Sequence, residues 1–213
     1  MAQSAVDERL VFVDIETGGL DPRRHPIIQV AAIAVDEVFE PVEAAEFKIR
    51  FDERKACKHS LRKNHYSRGL WALEAHSDRA AAFGLATFFK RHATCPMQSA
   101  NGKEYRVAQL VAHNAAFDGP FLQAWYERLG LYVPARRQLL CTLQRAMWYF
   151  TEQPHLMRPR DFKLATLCQH FGVAFHAASA HDALADVSAT VQLYRAMDAA
   201  RQPAPNPFRA SLG

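Results

Sequence analysis

The segment VFVDIETGG, residues 11–19, constrains the fold most, because it carries strand-type apolar residues directly into two acids. Side chains alternate between the two faces of a strand, so Asp14 and Glu16 lie on one face and Val13 and Ile15 on the other. Apolar residues on both faces predict an inner strand that is covered on both sides. Two neighbouring carboxylates in such a place repel each other and lose hydration, which costs several kcal/mol unless a cation compensates. We therefore expect a cationic partner that the sequence itself does not contain.

The residues that follow predict an antiparallel meander. A loop rich in glycine and proline, GGLDPRRHP, leads to the continuous apolar run IIQVAAIAV, which indicates a second buried strand. The segment AEFKIRF, residues 45–51, alternates with Phe47, Ile49 and Phe51 on one side, as is typical of a half-exposed strand at a sheet edge. Connections this short favour antiparallel neighbours, so we expect residues 9–51 to form three such strands.

The rest of the chain alternates between helical and strand patterns. Residues 77–92 predict a helix whose buried stripe is either Phe83, Ala86 and Phe89 or Ala82, Leu85 and Phe89. Further elements are expected as follows: a small hairpin at Asn101-Gly102 within the insert 94–106, a strand in 106–114, a helix in 117–130 with Pro120 in its first turn and Gly130 as its stop, a short strand running into a helix in 137–150, a helix in 161–172 and a long helix in 181–201.

This order of elements predicts an α/β protein with one mixed sheet and helices packed on it. We expect a single domain over residues 1–200 and a Pro-rich tail over 201–213. The length of 213 residues and the hydrophobic content of 49% allow a sizeable core. No apolar run is long enough to span a membrane, and the first ten residues do not resemble a signal peptide, so the sequence predicts a soluble cytoplasmic protein. The four cysteines lack the spacing of a zinc site.

The formal net charge of +4 favours a polyanionic partner. Much of the excess lies in residues 54–68, where no acid accompanies the basic residues Arg54, Lys55, Lys58, Arg62, Lys63 and Arg68. For an arbitrary protein, a solvated helix face or loop is the favoured explanation of such a stretch.

Two further acids lie where metal ligands are expected. Asp118 follows a predicted strand at the opening of a helix, although an acid there is also typical of a helix N-cap. Asp186 lies on the apolar side of the last helix, where a buried anion needs a partner. With Asp14 and Glu16 they suit a centre of two divalent ions, which clamps the oxygens of a phosphodiester. Mg²⁺ is the natural ion for oxygen ligands, with Mn²⁺ as its substitute.

Three motifs in order resemble those of a known family. VDIETGG, HNAAFD and HDALAD, at these separations, are similar to the three exonuclease motifs of the DEDDh family of 3′ to 5′ exonucleases, which includes the proofreading epsilon subunit of bacterial replicative polymerase and ribonuclease T. The likeness runs from Leu10 to Met197 and includes the connecting text KLATLCQHFGV. It implies the ribonuclease H-like fold, with a five-stranded mixed sheet that has the meander at one side.

The resemblance also assigns roles to residues. Asp14 would bridge both metal ions, Glu16 and Asp186 would complete the first site, and Asp118 would hold the second. His181 would be the general base that takes a proton from the attacking water, a task that its unperturbed pKa of about 6.5 suits. The substrate would be the 3′ end of a nucleic acid, released as nucleoside 5′-monophosphates.

The position of His181 depends on where the last helix begins. Five residues of helix rotate by about 140°, so His181 and Asp186 would not share a face within one helix. We favour a helix that begins near Asp182 as N-cap, with His181 on the preceding loop. Ser179 and Asp182 could instead form a capping box that draws His181 into the first turn.

The residues around the motifs are the expected substrate contacts. By resemblance, Thr17 and Gly18 would meet the terminal nucleotide, and Leu20 would pack against its base. His113, Asn114 and Phe117 match lining residues of the second motif, and core packing is an equal explanation for Phe117. Family members often have Thr-Gly where this chain has Gly18-Gly19.

Three functions remain open at this point. The first is a DNA exonuclease, with proofreading or DNA repair as its setting and a polymerase or repair protein as its partner. The second is an exoribonuclease with the same chemistry, because sugar recognition depends on details of the pocket. The third is a binding module with an idle site, against which the retained buried acids argue.

Overall fold

The computed structural model describes residues 9–176 and 180–201. The strands and helices of these ranges are β1 (Leu10–Thr17), β2 (Ile27–Val35), β3 (Pro41–Lys48), α1 (Lys58–Lys63), α2 (Arg68–Glu74), α3 (Asp78–Arg91), β4 (Cys95–Gln98), β5 (Glu104–Val107), β6 (Gln109–Ala112), α4 (Ala115–Arg128), β7 (Leu140–Cys141), α5 (Thr142–Glu152), α6 (Leu164–His170) and α7 (Ala183–Ala199). The proposed tail lies outside the described residues, apart from its first residue, Arg201.

The main sheet has five strands in the order β3-β2-β1-β6-β7. The pairs β1–β2 and β2–β3 are antiparallel, and the pairs β1–β6 and β6–β7 are parallel. The predicted meander and the mixed sheet flanked by helices are therefore confirmed. β1 takes the central place, as its two apolar faces predict.

The two faces of β1 enter different parts of the core. Val11 and Val13 pack in a cluster with residues of α3 and α4, such as Phe89 and Trp125. Phe12 faces the opposite way and packs with residues of α7, such as Val187. Asp14 and Glu16 share the alternation of Phe12, so the strand directs them toward the side of the sheet that α7 covers.

Several boundaries differ from the prediction for local reasons. α4 begins at Ala115 rather than 117, because Asn114 adopts a left-handed conformation (φ 63°, ψ 51°) and is the N-cap. Pro120 is therefore in the second turn of α4 and not in the first. β3 runs from Pro41 to Lys48, although apolar and polar residues alternate only in the second half of this segment. The whole segment forms a strand because β2 is long enough to pair with all of it.

The predicted strand in 106–114 is divided between two sheets. Arg106 and Val107 belong to the hairpin of β4 and β5, which has Gly102 at φ 77° in its turn. β6 supplies the strand of the main sheet, and Ala108 between them pairs with Ala135. The hairpin expected at Asn101-Gly102 is confirmed.

Two short helices in the basic stretch were not predicted. α1 and α2 have six and seven residues, which is too short for a clear apolar period. Tertiary contacts hold them: the indole of Trp71 is buried and donates a hydrogen bond to the Ile28 carbonyl at 3.2 Å. The bases of this stretch thus lie on an ordered surface.

The cysteines are free thiols, and Cys95 and Cys168 are buried. Among the described residues, no helix has the length and apolarity that crossing a membrane requires.

The buried stripe of α3 allows a test of the fold. Leu85 is fully buried, whereas Phe83 on the same helix is 66% exposed, so the stripe is Ala82, Leu85 and Phe89. We expect Leu85→Ala to lower the free energy of unfolding by about 2–5 kcal/mol, because it leaves a cavity in the core. Phe83→Ala, as the matched control, should change it by less than about 0.5 kcal/mol. Urea denaturation measures both, and equal losses would contradict the assigned face.

Candidate active site

A cleft of about 620 Å³ opens where the carboxyl end of β1 meets α4, α7 and the segment around α1. Ten of the eleven predicted site residues line it: Asp14, Glu16, Thr17, Leu20, His113, Asn114, Phe117, Asp118, His181 and Asp186. The cleft wall also contains residues that were not predicted individually, namely Ile15, Gly19, His25, Cys57, His59, Ser60, Lys63 and Asn64. Three elements far apart in sequence therefore bring the four acids to one place.

β1 contributes two buried carboxylates, Asp14 and Glu16, whose negative charges are not balanced by the surrounding protein. Glu16 is buried, and burial first, with the nearby charge of Asp186 second, raises its pKa to about 8. Burial and then the carboxylate of Asp118 raise the pKa of Asp14 well above its usual range. Such shifts mean that the protein atoms alone do not stabilise the ionised forms.

The acids of the two helices complete the cluster. Asp118 is the fourth residue of α4 and is only 3% exposed, and its burial raises its pKa to about 8. It does not cap the helix, so the capping alternative is wrong. Burial also raises the pKa of Asp186 to about 6. One oxygen of Asp186, Oδ2, accepts a hydrogen bond from the backbone of His181 at 3.1 Å, while Oδ1 is buried without a partner among the described residues.

These features fit a divalent cation. Ligand atoms of Glu16, His181 and Asp186 lie within 4.8 Å of one another. The unpartnered Oδ1 of Asp186 is an available oxygen donor, and Asp14 and Asp118 add carboxylates at the same cleft. A donor set dominated by carboxylates is the type that Mg²⁺ and Mn²⁺ prefer.

His181 lies on the loop before α7, as predicted. Asp182 is the N-cap of the helix, and its Oδ1 accepts a hydrogen bond from the backbone of Ala185 at 3.1 Å. His181 itself has a positive φ of 67°. The alternative capping box involves Ser179, which lies outside the described residues. The helix therefore begins where His181 and Asp186 can meet without sharing a helical face.

The ring of His181 is accessible and close to the acids. Its side chain is 39% exposed, with Nδ1 4.0 Å from Oε1 of Glu16. Burial, followed by the positive charges of Lys63 and His65, lowers its pKa, so the ring is neutral at neutral pH. His65 also reaches this loop, because its Nε2 donates a hydrogen bond to the Ala180 carbonyl at 3.0 Å.

The segment around α1 packs directly on the end of β1. The Asn64 side chain donates to the Thr17 carbonyl at 2.9 Å, and the Cys57 backbone donates to the Gly18 carbonyl at 2.6 Å. A Cβ on Gly18 would lie 2.8 Å from that of Ala56, and Gly18 does not line the cleft. That Gly18 meets the nucleotide stays a prediction, and in the structure this glycine makes room for the α1 segment.

The remaining predicted residues form the walls and rim. Leu20 is 82% exposed at the cleft. Phe117 both lines the cleft and packs on Phe121, with ring centroids 4.9 Å apart, so the two explanations offered for it are compatible. The Thr17 hydroxyl donates to the Gly19 carbonyl at 2.7 Å.

His113 stabilises the wall of the cleft through two hydrogen bonds of its ring. Its Nε2 donates to the Phe162 carbonyl at 3.1 Å, so Nδ1 accepts from the Thr142 hydroxyl at 2.8 Å. Burial lowers its pKa to about 4, and the ring is neutral. Both ring nitrogens are thus engaged within the protein.

Lys63 is one of the cleft residues that sequence reasoning did not assign to the site, and it is the lysine among them. The available signal was the basic stretch 54–68, which does not show which side chain turns inward. Lys63 lines the cleft, and its charge lowers the pKa of Glu16 and Asp186 against the larger effect of burial. Arg54 and Arg68 of the same stretch instead pair with Asp52 and Glu53.

Sequence comparisons agree with the motifs. The RNase_T family model, described as an exonuclease, matches residues 102–194, which include the second and third motifs. Ribonuclease T of Haemophilus ducreyi is 28% identical over 192 residues, covering 88% of this chain and 83% of that protein. Ribonuclease T of Haemophilus influenzae is 27% identical over 193 residues, covering 86% and 76%.

Solved structures with this fold include Exonuclease I. One Exonuclease I structure superposes with a TM-score of 0.70 at 20% identity and covers 92% of this chain. E. coli Exonuclease I in complex with a dT13 oligonucleotide gives a TM-score of 0.71 at 18% identity and 88% coverage. The chain spans about two fifths of the length of these neighbours, at 41% and 40%. Together with the three motifs and the convergent acids, the family model and the relatives support a DEDDh-type 3′ to 5′ exonuclease with the ribonuclease H-like fold.

Proposed function

We propose that the protein hydrolyses DNA from its 3′ end and releases nucleoside 5′-monophosphates with the help of two divalent ions, Mg²⁺ or its substitute Mn²⁺. The observation that carries this proposal is the meeting of Asp14, Glu16, Asp118 and Asp186 in one cleft. Their raised pKa values and the unpartnered oxygen of Asp186 indicate a site built for added positive charge.

The four carboxylates would serve as ligands of two ions. Asp14, Glu16 and Asp186 would hold one ion, and Asp14 with Asp118 would hold the other. When bound, the ions supply positive charge to the attacking and leaving oxygens of the phosphodiester. The neutral imidazole of His181 accepts the proton of the attacking water at a ring nitrogen, for which its partial exposure and lowered pKa suit it.

The cleft walls suit the terminal nucleotide. Leu20 offers an exposed apolar side chain against which the base would pack, and the aromatic ring of Phe117 lines the same cleft. Thr17 and Asn114 lie beside the acids, near the sugar, and His113 keeps this wall in place. Lys63 adds a positive charge for a phosphate.

RNA is the second candidate substrate, because the sequence relatives at 27% and 28% identity are named ribonuclease T. The setting we propose for the DNA reaction is proofreading or repair beside a polymerase or repair protein.

Removing one bridging acid tests the metal-dependent reaction. A 5′-labelled DNA oligonucleotide with Mg²⁺ or Mn²⁺ should give a ladder that shortens from the 3′ end, and chelator should abolish it. Asp14→Asn should lower the rate by about a thousandfold or more, because several kcal/mol of charge stabilisation are lost. Glu104→Gln, at an exposed carboxylate of the hairpin, should match the wild type. Equal cleavage by Asp14→Asn, or no cleavage with any metal, would refute the proposal, and faster degradation of matched RNA would favour the second candidate.

The role of His181 has its own test. His181→Ala should lower kcat by about 10²- to 10⁴-fold, the usual contribution of a general base, with KM and Mn²⁺ binding largely unchanged. The exposed His155 provides the control, and His155→Ala should keep full activity. Retention of most of the activity by His181→Ala would show that another group takes the proton.

The raised pKa values predict how stability depends on pH. Glu16 and Asp118 have folded-state pKa values of about 8, above the ordinary 4.5 and 3.8, so the folded metal-free protein binds more protons than the unfolded chain between these limits. Its stability should therefore be highest at low pH in this window and should fall as the pH rises toward 8. Asp118→Asn should weaken this fall, and Mg²⁺ should restore stability at pH 8 in the wild type more than in the variant.

Thermal unfolding in chelator and in Mg²⁺ at several pH values measures both effects. Glu104→Gln should follow the wild-type curve. A wild-type melting temperature that rises between pH 5 and 8 in chelator, relative to Asp118→Asn, would contradict the assigned direction.

A further inference from the structure

A second, smaller cavity of about 120 Å³ lies beside the cleft. Five basic side chains line it: Arg23, Arg24, Arg50, Lys55 and Arg128. We call this cavity the distal basic pocket. Its volume accommodates a phosphate group or a few water molecules, at about 30 Å³ of liquid volume per water.

The bases of the distal basic pocket are largely free of partners among the described residues, although the charge of Lys55 helps to lower the pKa of Asp52. Among residues 9–176 and 180–201, none of the five forms an ion pair or donates a hydrogen bond from its side chain. The two acids in the wall are already engaged. Asp52 accepts from Arg54 Nε and Nη2 at 2.9 Å each, and Asp78 accepts from the indole nitrogen of Trp125. All five bases are exposed, and their summed positive charge would attract an anion such as a phosphate.

The distal basic pocket and the cleft share walls. His25 lines both cavities, and the loop that ends at Pro26 separates them. The segment that carries Lys55 toward the pocket carries Cys57 into the cleft two residues later. The two cavities are therefore neighbours on the surface of the protein.

Helix α4 gives the separation. Asp118 near its beginning lines the cleft, and Arg128 at its end lines the distal basic pocket. Ten residues of helix span about 15 Å. At about 3.4 Å per nucleotide of a stacked strand, this is about four nucleotides.

We propose that the distal basic pocket binds a backbone phosphate of the nucleic acid, about four nucleotides from the 3′ end that occupies the cleft. The inference rests on the proposed function for the position of that end. The phosphate would come either from the strand being degraded or from its complementary strand, since both carry the same group. The pocket would thus favour long substrates over short ones without touching the reacting atoms.

Charge removal tests this site. Arg23→Gln/Arg50→Gln removes two bases from different segments, and both side chains are exposed and unbonded, so the variant should fold as the wild type does. The control Lys90→Gln/Lys103→Gln removes the same charge from exposed positions on α3 and the hairpin loop. Arg24→Gln/Lys55→Gln is a second pocket variant that should behave like the first.

Binding is measured by fluorescence anisotropy of labelled dT12 in chelator, where no hydrolysis occurs. The pocket variants should raise Kd about tenfold, and the slope of log Kd against log salt should fall by about 0.7, the value for one phosphate contact with a single strand. Kd for dT3 should not change, because three nucleotides are too short to reach the pocket. The control variant should change neither value by more than about twofold.

A second arm identifies the source of the phosphate. Weaker binding of single-stranded dT12 assigns it to the degraded strand, and a loss confined to a duplex with a short 3′ overhang assigns it to the complementary strand. Equal effects of pocket and control variants, an equal loss for dT3, or no loss on any probe would overturn the proposal. Failure of the proposed function would appear instead as an absence of hydrolysis by the wild type, which leaves the binding measurement readable.

Discussion

The burial of four carboxylates in one cleft, together with the repulsion among them, is the constraint on which the rest of the structure depends. Burial raises the pKa of each of them, and Asp118, Glu16 and Asp186 together raise that of Asp14. A fold that only needed to be stable would place apolar residues at these positions. The arrangement becomes favourable once positive charge is added, which connects the energetics of the fold with the chemistry of a metal-dependent nuclease.

The surrounding elements hold the acids in place despite this cost. β1 is central and packed on both faces, so Asp14 and Glu16 have little freedom to move apart. The left-handed Asn114 turns the chain from β6 into α4 and brings Asp118 to the cleft. The N-cap of α7 leaves His181 outside the helix, while the backbone bond from His181 to Asp186 ties the loop to the acid. Positioning by rigid elements of this kind is what a catalytic site requires.

Much of the site could be predicted, because its signals are local in sequence. Alternation along β1 placed Asp14 and Glu16 on one face, and helical rotation showed that His181 had to precede α7 to meet Asp186. The three motifs in order then implied the fold and the exonuclease family. Gly18 shows what such reasoning cannot supply: a Cβ there would meet Ala56, which is 38 residues away in the sequence. α1, α2 and the inward position of Lys63 were likewise undetectable, because short helices have no clear period and depend on contacts such as that between Trp71 and Ile28.

The sequence by itself determined the strand that carries the acid pair, the five-stranded mixed sheet and the set of acids with their histidine. The strand and the mixed sheet follow from periodicity, whereas the count of five strands and the roles of the acids and the histidine follow from the family resemblance that the three short motifs carry. Only the tertiary structure decided which side chains face each other across the fold. It placed Asn64 under Thr17, engaged both nitrogens of His113 and gathered five bases from four separate segments around one cavity. Such contacts join residues that the sequence keeps far apart, so packing alone determines them.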